Sequence, residues 1–409
     1  MTRDMRETRA EGYVTELAYT PGYHPELDPR AVMEALAREG FEHLAIERAC
    51  ELGFGRGLSL AIHAVAGEAS WWGNDLLTVH VQELEALTRG LTDRLHVTAE
   101  TFEEFCSRED LPGFELIALH GIWSWVSARN RDIIRQFIAR RLAPRGIVYL
   151  SYNTRAGWAS MVPLREFLVA EAGRPEYADR PLIERIEAAL VAAQRVVAQD
   201  LPPARDDPMF EKHLRAIRYQ SKSYLAHEYF NRDWTLFDET EIRDSLQSLG
   251  LDYATQARQT SATPRLRRDL WVRGLSRGVP LSRGVLSSAA NSLDLSQRFD
   301  AVYELNQRLL ERAQHDPQQS VLGSPVTGGG IELGWRGVLA LAAWRWGARE
   351  ADSISAFVLG VLDRLGHPYV HEGVVIGDRG EVAVMLQREA RTFLAATLPR
   401  LVSLGIERG

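Results

Sequence analysis

Glu51-Leu52-Gly53-Phe54-Gly55-Arg56-Gly57 stands between an apolar run, Ile46–Leu52, and a helix-patterned stretch, Leu58–Ala66. Alternate glycines let the backbone turn sharply and approach a ligand closely. The helix that follows presents unpaired N–H groups toward the same point. A strand, a glycine turn and a helix in that order place a ligand at the carboxyl end of a parallel strand. A dinucleotide fingerprint needs G-x-G-x-x-G, but position 58 is Leu, so the spacing is that of another nucleoside-binding loop.

Working outward, short apolar runs alternate with helical stretches. Ala69–Asn74 reads as a strand ending at Asp75, Thr78–Gly90 as a helix, and Leu95–Val97 as a short strand. Phe114–Leu119 and Ile147–Tyr152 read as buried strands on either side of a helix at Arg131–Leu142. This rhythm predicts βαβ units and a doubly wound, mostly parallel sheet. From Val162 to Tyr229 the period is helical, as along Leu182, Ile186, Leu190 and Val197. A helix at Glu239–Leu249 and strands at Asp252–Gln256 and Asp269–Arg273 then complete the sheet. Helices are expected at Ser296–Ala313, Arg336–Gly347, Ser353–Leu365 and Gln387–Leu404, beyond a Ser/Gly/Arg-rich linker.

Composition narrows the chemistry. A net charge of −7 over 409 residues argues against a global basic field for nucleic acid. Lys212 and Lys222 are the sole lysines and neither follows a glycine, which excludes a P-loop. Cys50 and Cys106 cannot build a disulfide framework or a four-thiolate zinc site. There is no H-E-x-x-H and no G-x-S-x-G elbow, so neither a metal site nor a common hydrolase is expected. Met1–Gly12 lacks the apolar core of a secretory leader, and the apolar stretch Gly337–Trp344 is too short to span a bilayer. A cytoplasmic protein with no membrane partner is the expectation.

The E-x-G-x-G-x-G stretch resembles the first motif of class I S-adenosylmethionine-dependent methyltransferases. Asp75, 24 positions after Glu51, stands where a carboxylate can accept the ribose hydroxyls of adenosine. Glu100 resembles the acidic position near the adenine amino group. Further segments carry the likeness: Tyr13–Pro29 (YVTELAYTPGYHPELDP), His120–Val126 (HGIWSWV), Ser151–Trp158 (SYNTRAGW) and Ala226–Trp234 (AHEYFNRDW). They resemble bacterial methyltransferases with a methyltransferase regulatory domain, the wider group that includes the rickettsial protein lysine methyltransferases. The resemblance implies a seven-stranded sheet in the order 3-2-1-4-5-7-6, S-adenosyl-L-methionine as cofactor, and a homodimer as one compatible assembly. Phe54 departs from the family's frequent Cys, and Ala143-Pro144-Arg145-Gly146 replaces its Lys-Pro-Gly-Gly turn.

The expected organisation is an N-terminal cofactor lid at 1–30, a cofactor-binding α/β domain at 31–160 and 230–275, and a helical insertion at 161–229. A linker at 276–292 and a mainly α-helical domain at 293–409 follow. Cofactor contacts are expected from Tyr19, Tyr23, Glu51, Gly53, Gly55, Gly57, Asp75, Glu100 and His120, with His24 beside the two tyrosines in the lid. Methyl transfer needs a desolvated cavity that aligns acceptor, methyl and sulfur, and a group to take the acceptor's proton. His120, Tyr152, His227 and Glu228 are the catalytic candidates; Trp123, Trp125, Asn153, Trp158 and Tyr229 are the pocket candidates, an aromatic wall suited to a lysine stem or cation. Against each stands a plainer reading as packing or a solvated helix face. The leading function is methyl transfer to a protein or peptide side chain, lysine nitrogen first. A small-molecule or natural-product O- or N-methyltransferase, or a non-catalytic cofactor-binding regulator, are the alternatives.

Overall fold

A computed structural model describes residues 23–218, 220, 222–258 and 263–278, with parts of 301–399. After helix α1 (Pro29–Arg38), strands and helices alternate: β1 (Arg48–Leu52), α2 (Leu58–Ala66), β2 (Ser70–Asp75), α3 (Thr78–Thr88), β3 (Leu95–Ala99). There follow α4 (Phe102–Ser107), β4 (Phe114–Leu119), α5 (Ala128–Arg141) and β5 (Leu142–Asn153). Helix α4, which the apolar pattern does not announce, begins at a capping box in which Thr101 and Glu104 satisfy each other's backbone N–H groups. Ser127 caps α5 by accepting from the N–H of Asn130.

Five helices then leave the sheet: α6 (Arg155–Trp158), α7 (Val162–Ala172), α8 (Leu182–Ala198), α9 (Phe210–Ile217) and α10 (Lys222–Tyr229). Their apolar faces meet around Trp158, Leu164, Ile186, Leu190, Phe210, Leu214 and Tyr229. The chain returns through α11 (Glu239–Gln247), capped by Asp238 and Glu241, to β6 (Asp252–Gln256) and β7 (Leu266–Val272).

The sheet has seven strands in the order β3-β2-β1-β4-β5-β7-β6. Strands β1 to β5 are parallel neighbours, whereas β7 runs antiparallel to both β5 and β6. This is the class I methyltransferase fold. One face of the sheet packs on α1, α2 and α3 through residues such as Leu36, Leu60, Ile62, Trp71 and Leu84. The other packs on α4, α5 and α11 through Phe105, Phe114, Phe137 and Leu246. Because β1 and β4 are covered on both faces, they read as near-continuous apolar runs.

Beyond the sheet, the described residues include α12 (Ala351–Leu365) and α13 (Arg379–Thr392), with two short hairpins, β8–β9 (Val326–Gly328, Ile331–Leu333) and β10–β11 (Tyr369–His371, Val374–Ile376). Leu305, Ile354, Ala390 and Phe393 join the same buried cluster as α1 and α2. The Arg308 guanidinium donates to the carbonyls of Leu87 (3.0 Å) and Arg89 (2.9 Å) at the end of α3. No helix among the described residues is long and apolar enough to cross a membrane. Most of the expected 276–292 linker lies outside the described residues.

Candidate active site

The glycine loop does what its sequence requires. Gly53, Gly55 and Gly57 have φ of +67°, +59° and +68°, a region L side chains rarely enter. Gly53 N–H donates to the carbonyl of Asn74 (2.9 Å), tying the loop to the end of β2. A Cβ on Gly53 would lie 2.3 Å from Ile122 Cδ1, and one on Gly57 2.6 Å from Leu84 Cδ2; those side-chain tips could shift, so it is the torsion that demands glycine.

Glu51 ends buried beneath this loop, 4% exposed, and its Oε2 has no hydrogen-bond partner among the described residues. Burial, with the Asp75 charge adding to it, pushes its carboxyl up to about 8. An orphaned buried oxygen needs a donor, and the ammonium of the cofactor's methionine end is a donor of the right charge. Asp75 sits at the tip of β2. Its Oδ2 accepts from Gly55 N–H (2.9 Å); its Oδ1 accepts from Leu77 N–H (2.9 Å) and lies 2.9 Å from His80 Nδ1. A carboxylate has roughly four acceptor positions, so about one remains for a ribose hydroxyl unless the loop or His80 lets go. Glu100, just past β3, accepts from the Thr98 hydroxyl (3.0 Å) and pairs with Arg108 at 3.7 Å. These groups fit S-adenosylmethionine. Tyr23 packs beside His63 with ring centroids 5.7 Å apart, and Tyr19 lies outside the described residues.

His120 follows the last residue of β4, next to the end of β1. Its Nδ1 is 2.8 Å from the hydroxyl of Tyr149, and its ring stacks on His24 with centroids 3.6 Å apart. The Tyr149 hydroxyl is buried and has no other partner among the described residues. It therefore donates to Nδ1, which assigns the ring proton to Nε2. Burial first, then the His24 and Arg268 charges, hold His120 neutral well below its ordinary range. Burial likewise pushes His24 down to about 4, with Glu26 opposing the shift. Glu26 is 6% exposed, and Arg268 Nε stands 2.8 Å from its Oε1. His24 and Glu26 come from the Tyr13–Pro29 segment that carries the family likeness, whereas Tyr149 and Arg268 enter the site without a motif of their own. Strand alternation is the signal for Tyr149: Ile147 and Tyr149 face one layer, while Val148, Leu150 and Tyr152 face the other.

That alternation decides Tyr152, which the sequence offers as catalytic. Its hydroxyl donates to Asp269 (3.0 Å), which also accepts from Arg267 Nε (2.8 Å), and Arg267 pairs with Glu239. The structure makes Tyr152 a member of this buried β5–β7 network, away from the His120 layer. Tyr152→Phe should destabilise the fold by about 1–2 kcal/mol, leaving a buried acceptor underused. Calorimetric affinity for S-adenosylhomocysteine should be unchanged; a loss above tenfold would return Tyr152 to the site.

The aromatic wall divides. Trp123 is 2% exposed and packs into the layer under β4 with Phe105 and Phe137, and Trp125 is also buried. Ser124 Oγ accepts from the N–H of Asn153, whose side chain is buried with Nδ2 lacking a partner among the described residues. Trp158 and Tyr229 meet edge to face at 5.8 Å in the core of the helical insertion, with Trp234 5.4 Å from Trp158. The Arg265 guanidinium lies 5.6 Å above the Trp158 ring. Glu228 is pushed up to about 7 by burial, with Arg265 opposing the shift. His227 is buried in the same helix, its carbonyl accepting from Asn231 (2.6 Å). The structure thus gathers two groups: Glu51, the glycines, Asp75 and His120 at the β1–β2–β4 edge, and Trp158, Glu228 and Tyr229 beyond β5.

Fold and loop together define the chain as having the class I S-adenosylmethionine-dependent methyltransferase architecture. Within it, residues 221–269 match the family described as a predicted methyltransferase regulatory domain. That segment is structurally α10, α11, β6 and most of β7, so it completes the sheet. An uncharacterized protein of Synechocystis sp. is 35% identical over 253 residues, covering 60% of this chain and 49% of that one. An uncharacterized protein of Rickettsia prowazekii is 27% identical over 215 residues, covering 50% of this chain and 36% of that one. The chain thus spans half or less of the length of these curated relatives. Among solved structures, PKMT2 from Rickettsia typhi in complex with AdoHcy superposes with a TM-score of 0.56 at 13% identity, covering 92% of this chain and 98% of that one. At that identity the likeness speaks for the fold.

Proposed function

We propose that this chain is an S-adenosylmethionine-dependent methyltransferase whose acceptor is a nitrogen of a protein or peptide side chain, lysine first. The observation that carries the cofactor is the buried Glu51 oxygen, without a partner among the described residues, under three left-handed glycines. Bound there, the cofactor supplies an electrophilic methyl group on a sulfonium. The chain's own residues have the remaining tasks: Glu51 would hold the methionine ammonium, Asp75 the ribose, and Glu100 the adenine end. His120, fixed by Tyr149, would line the methyl side and orient the acceptor rather than take its proton.

A cationic acceptor is supported by the second group. Trp158 already carries a guanidinium over its ring, and Glu228 lies in the same partly buried surroundings. A lysine ammonium on its way to the methyl side would find the Glu228 carboxylate there, while Trp158 itself stays packed in the core of the insertion. The reading agrees with the rickettsial neighbour in fold. Labelled methyl from the cofactor should enter protein fractions of a host lysate and vanish with Asp75→Ala. Label confined to metabolites would replace the acceptor with a small molecule. Cofactor binding without label in any fraction would favour a non-catalytic regulator.

A further inference from the structure

His24, Glu26 and His120 bring one ligand-type atom each to within 4.8 Å of one another. Three atoms so spaced lie no farther than about 2.8 Å from one common point, a hydrogen-bond distance. Both oxygens of the Glu26 carboxylate are shielded from water and accept no hydrogen bond among the described residues, although Arg268 stands beside it. Arg268 therefore offsets charge and leaves acceptor positions unused. The His24 ring nitrogens also have no described partner; its backbone alone is tied, N–H to Ser59 Oγ (2.8 Å) and carbonyl to His63 Nε2 (3.3 Å).

Two features speak against a metal. The His24 and His120 rings are stacked, 28° from coplanar, so their in-plane lone pairs run side by side instead of converging. Arg268 also already offsets the Glu26 charge on one flank, which weakens its pull on a divalent ion. What suits unused acceptors around a neutral imidazole is a group with several N–H bonds. The position is also apt. β1 and β4 pair with Glu51 opposite Ala118, so the residue two beyond each, Gly53 and His120, stand side by side at the sheet edge.

We infer that His24 and Glu26, backed by the His120 ring, form the seat for the acceptor's amine nitrogen, facing the cofactor's methyl. This rests on the methyltransferase reading above. A neutral amine would donate N–H bonds to His24 and Glu26 and leave its lone pair for the methyl carbon. A hydroxyl acceptor has a single O–H and would leave this seat underfilled.

Sinefungin tests the seat without knowledge of the acceptor, because it carries a primary amine where the sulfonium methyl belongs. Calorimetry on the full chain should show tighter binding of sinefungin than of S-adenosylhomocysteine. His24→Phe keeps the stack and removes the nitrogens; Glu26→Gln keeps the shape and removes the charge. Each should lower sinefungin affinity by about tenfold or more, the scale of a lost charge-assisted bond, with S-adenosylhomocysteine affinity within about threefold. An unchanged ratio in both variants overturns the seat. Equal loss of both ligands overturns it too, since the residues would then serve the cofactor itself. One equivalent of zinc, iron or manganese retained by the wild-type chain and lost in both variants would make the cluster a metal site instead. A wild-type chain that binds neither nucleoside refutes the underlying methyltransferase reading, a distinguishable failure.

Discussion

Asp75→Ala should lower affinity for S-adenosylhomocysteine by about a hundredfold or more and destabilise the fold by roughly 2–4 kcal/mol. Both effects arise from the same carboxylate. Gly55 N–H, Leu77 N–H and the His80 ring all converge on it at 2.9 Å, and it is 8% exposed. Its removal strands two backbone donors and leaves both nitrogens of a buried imidazole without partners among the described residues, since His80 Nε2 already has none there. It also unlatches Gly55, the middle residue of the loop that must stay curled for a nucleoside to approach. Asp75→Asn separates the two roles: one amide oxygen can still accept, so the loop should hold better than with alanine, while the charge-assisted bond to ribose is weakened. Titration calorimetry and thermal melting on the three proteins check this. Binding within threefold of wild type for Asp75→Ala would remove the residue from the cofactor site.

The parts of this molecule that are local in sequence are the parts a sequence reading captures. Strands β1 and β4 are apolar except for Arg48, Glu51 and Glu115, because both sheet faces are covered, and the helix Leu58–Ala66 begins where three glycines stop. Strand order is a non-local property: no feature of Leu266–Val272 announces that it inserts antiparallel between β5 and β6, and it comes from resemblance alone. The site divides in the same way. Glu51, the glycines and Asp75 share one strand–loop–strand unit and are legible together. His24 and Glu26 reach the edge of β4 through a stack on His120 and an ion pair to Arg268 near the far end of the sheet. No spacing encodes such pairs. Period-two alternation sets Tyr149 apart from Tyr152, but nothing local in sequence says which of the two layers meets the site. Trp123 illustrates the opposite hazard, an aromatic near the candidate His120 in sequence that packs into the core below.

Binding of S-adenosylhomocysteine at pH 7 should release close to one proton, and Glu51→Gln should abolish that release. The carboxyl of Glu51 is raised to about 8, so the free protein holds its proton at neutral pH. A ligand ammonium placed against Oε2 favours the ionised form, lowers that value and expels the proton. Calorimetry in buffers of different ionisation enthalpy counts the protons directly. The same group gives stability a matching slope. Between about pH 4.5, where the unfolded chain loses this proton, and about pH 8, where the folded chain does, the native state binds more protons than the unfolded one. Stability from Glu51 is therefore full below that window and falls as pH rises through it, by a total on the order of 5 kcal/mol. Glu51→Gln should flatten the difference, gaining on the wild type in melting temperature from pH 5 to pH 8 even as it binds the nucleoside more weakly at pH 9. No proton release by the wild type, together with parallel melting curves for the two proteins, would mean that Glu51 neither faces the ligand nor stays protonated, and the methionine end of the cofactor would have to be placed elsewhere along the edge.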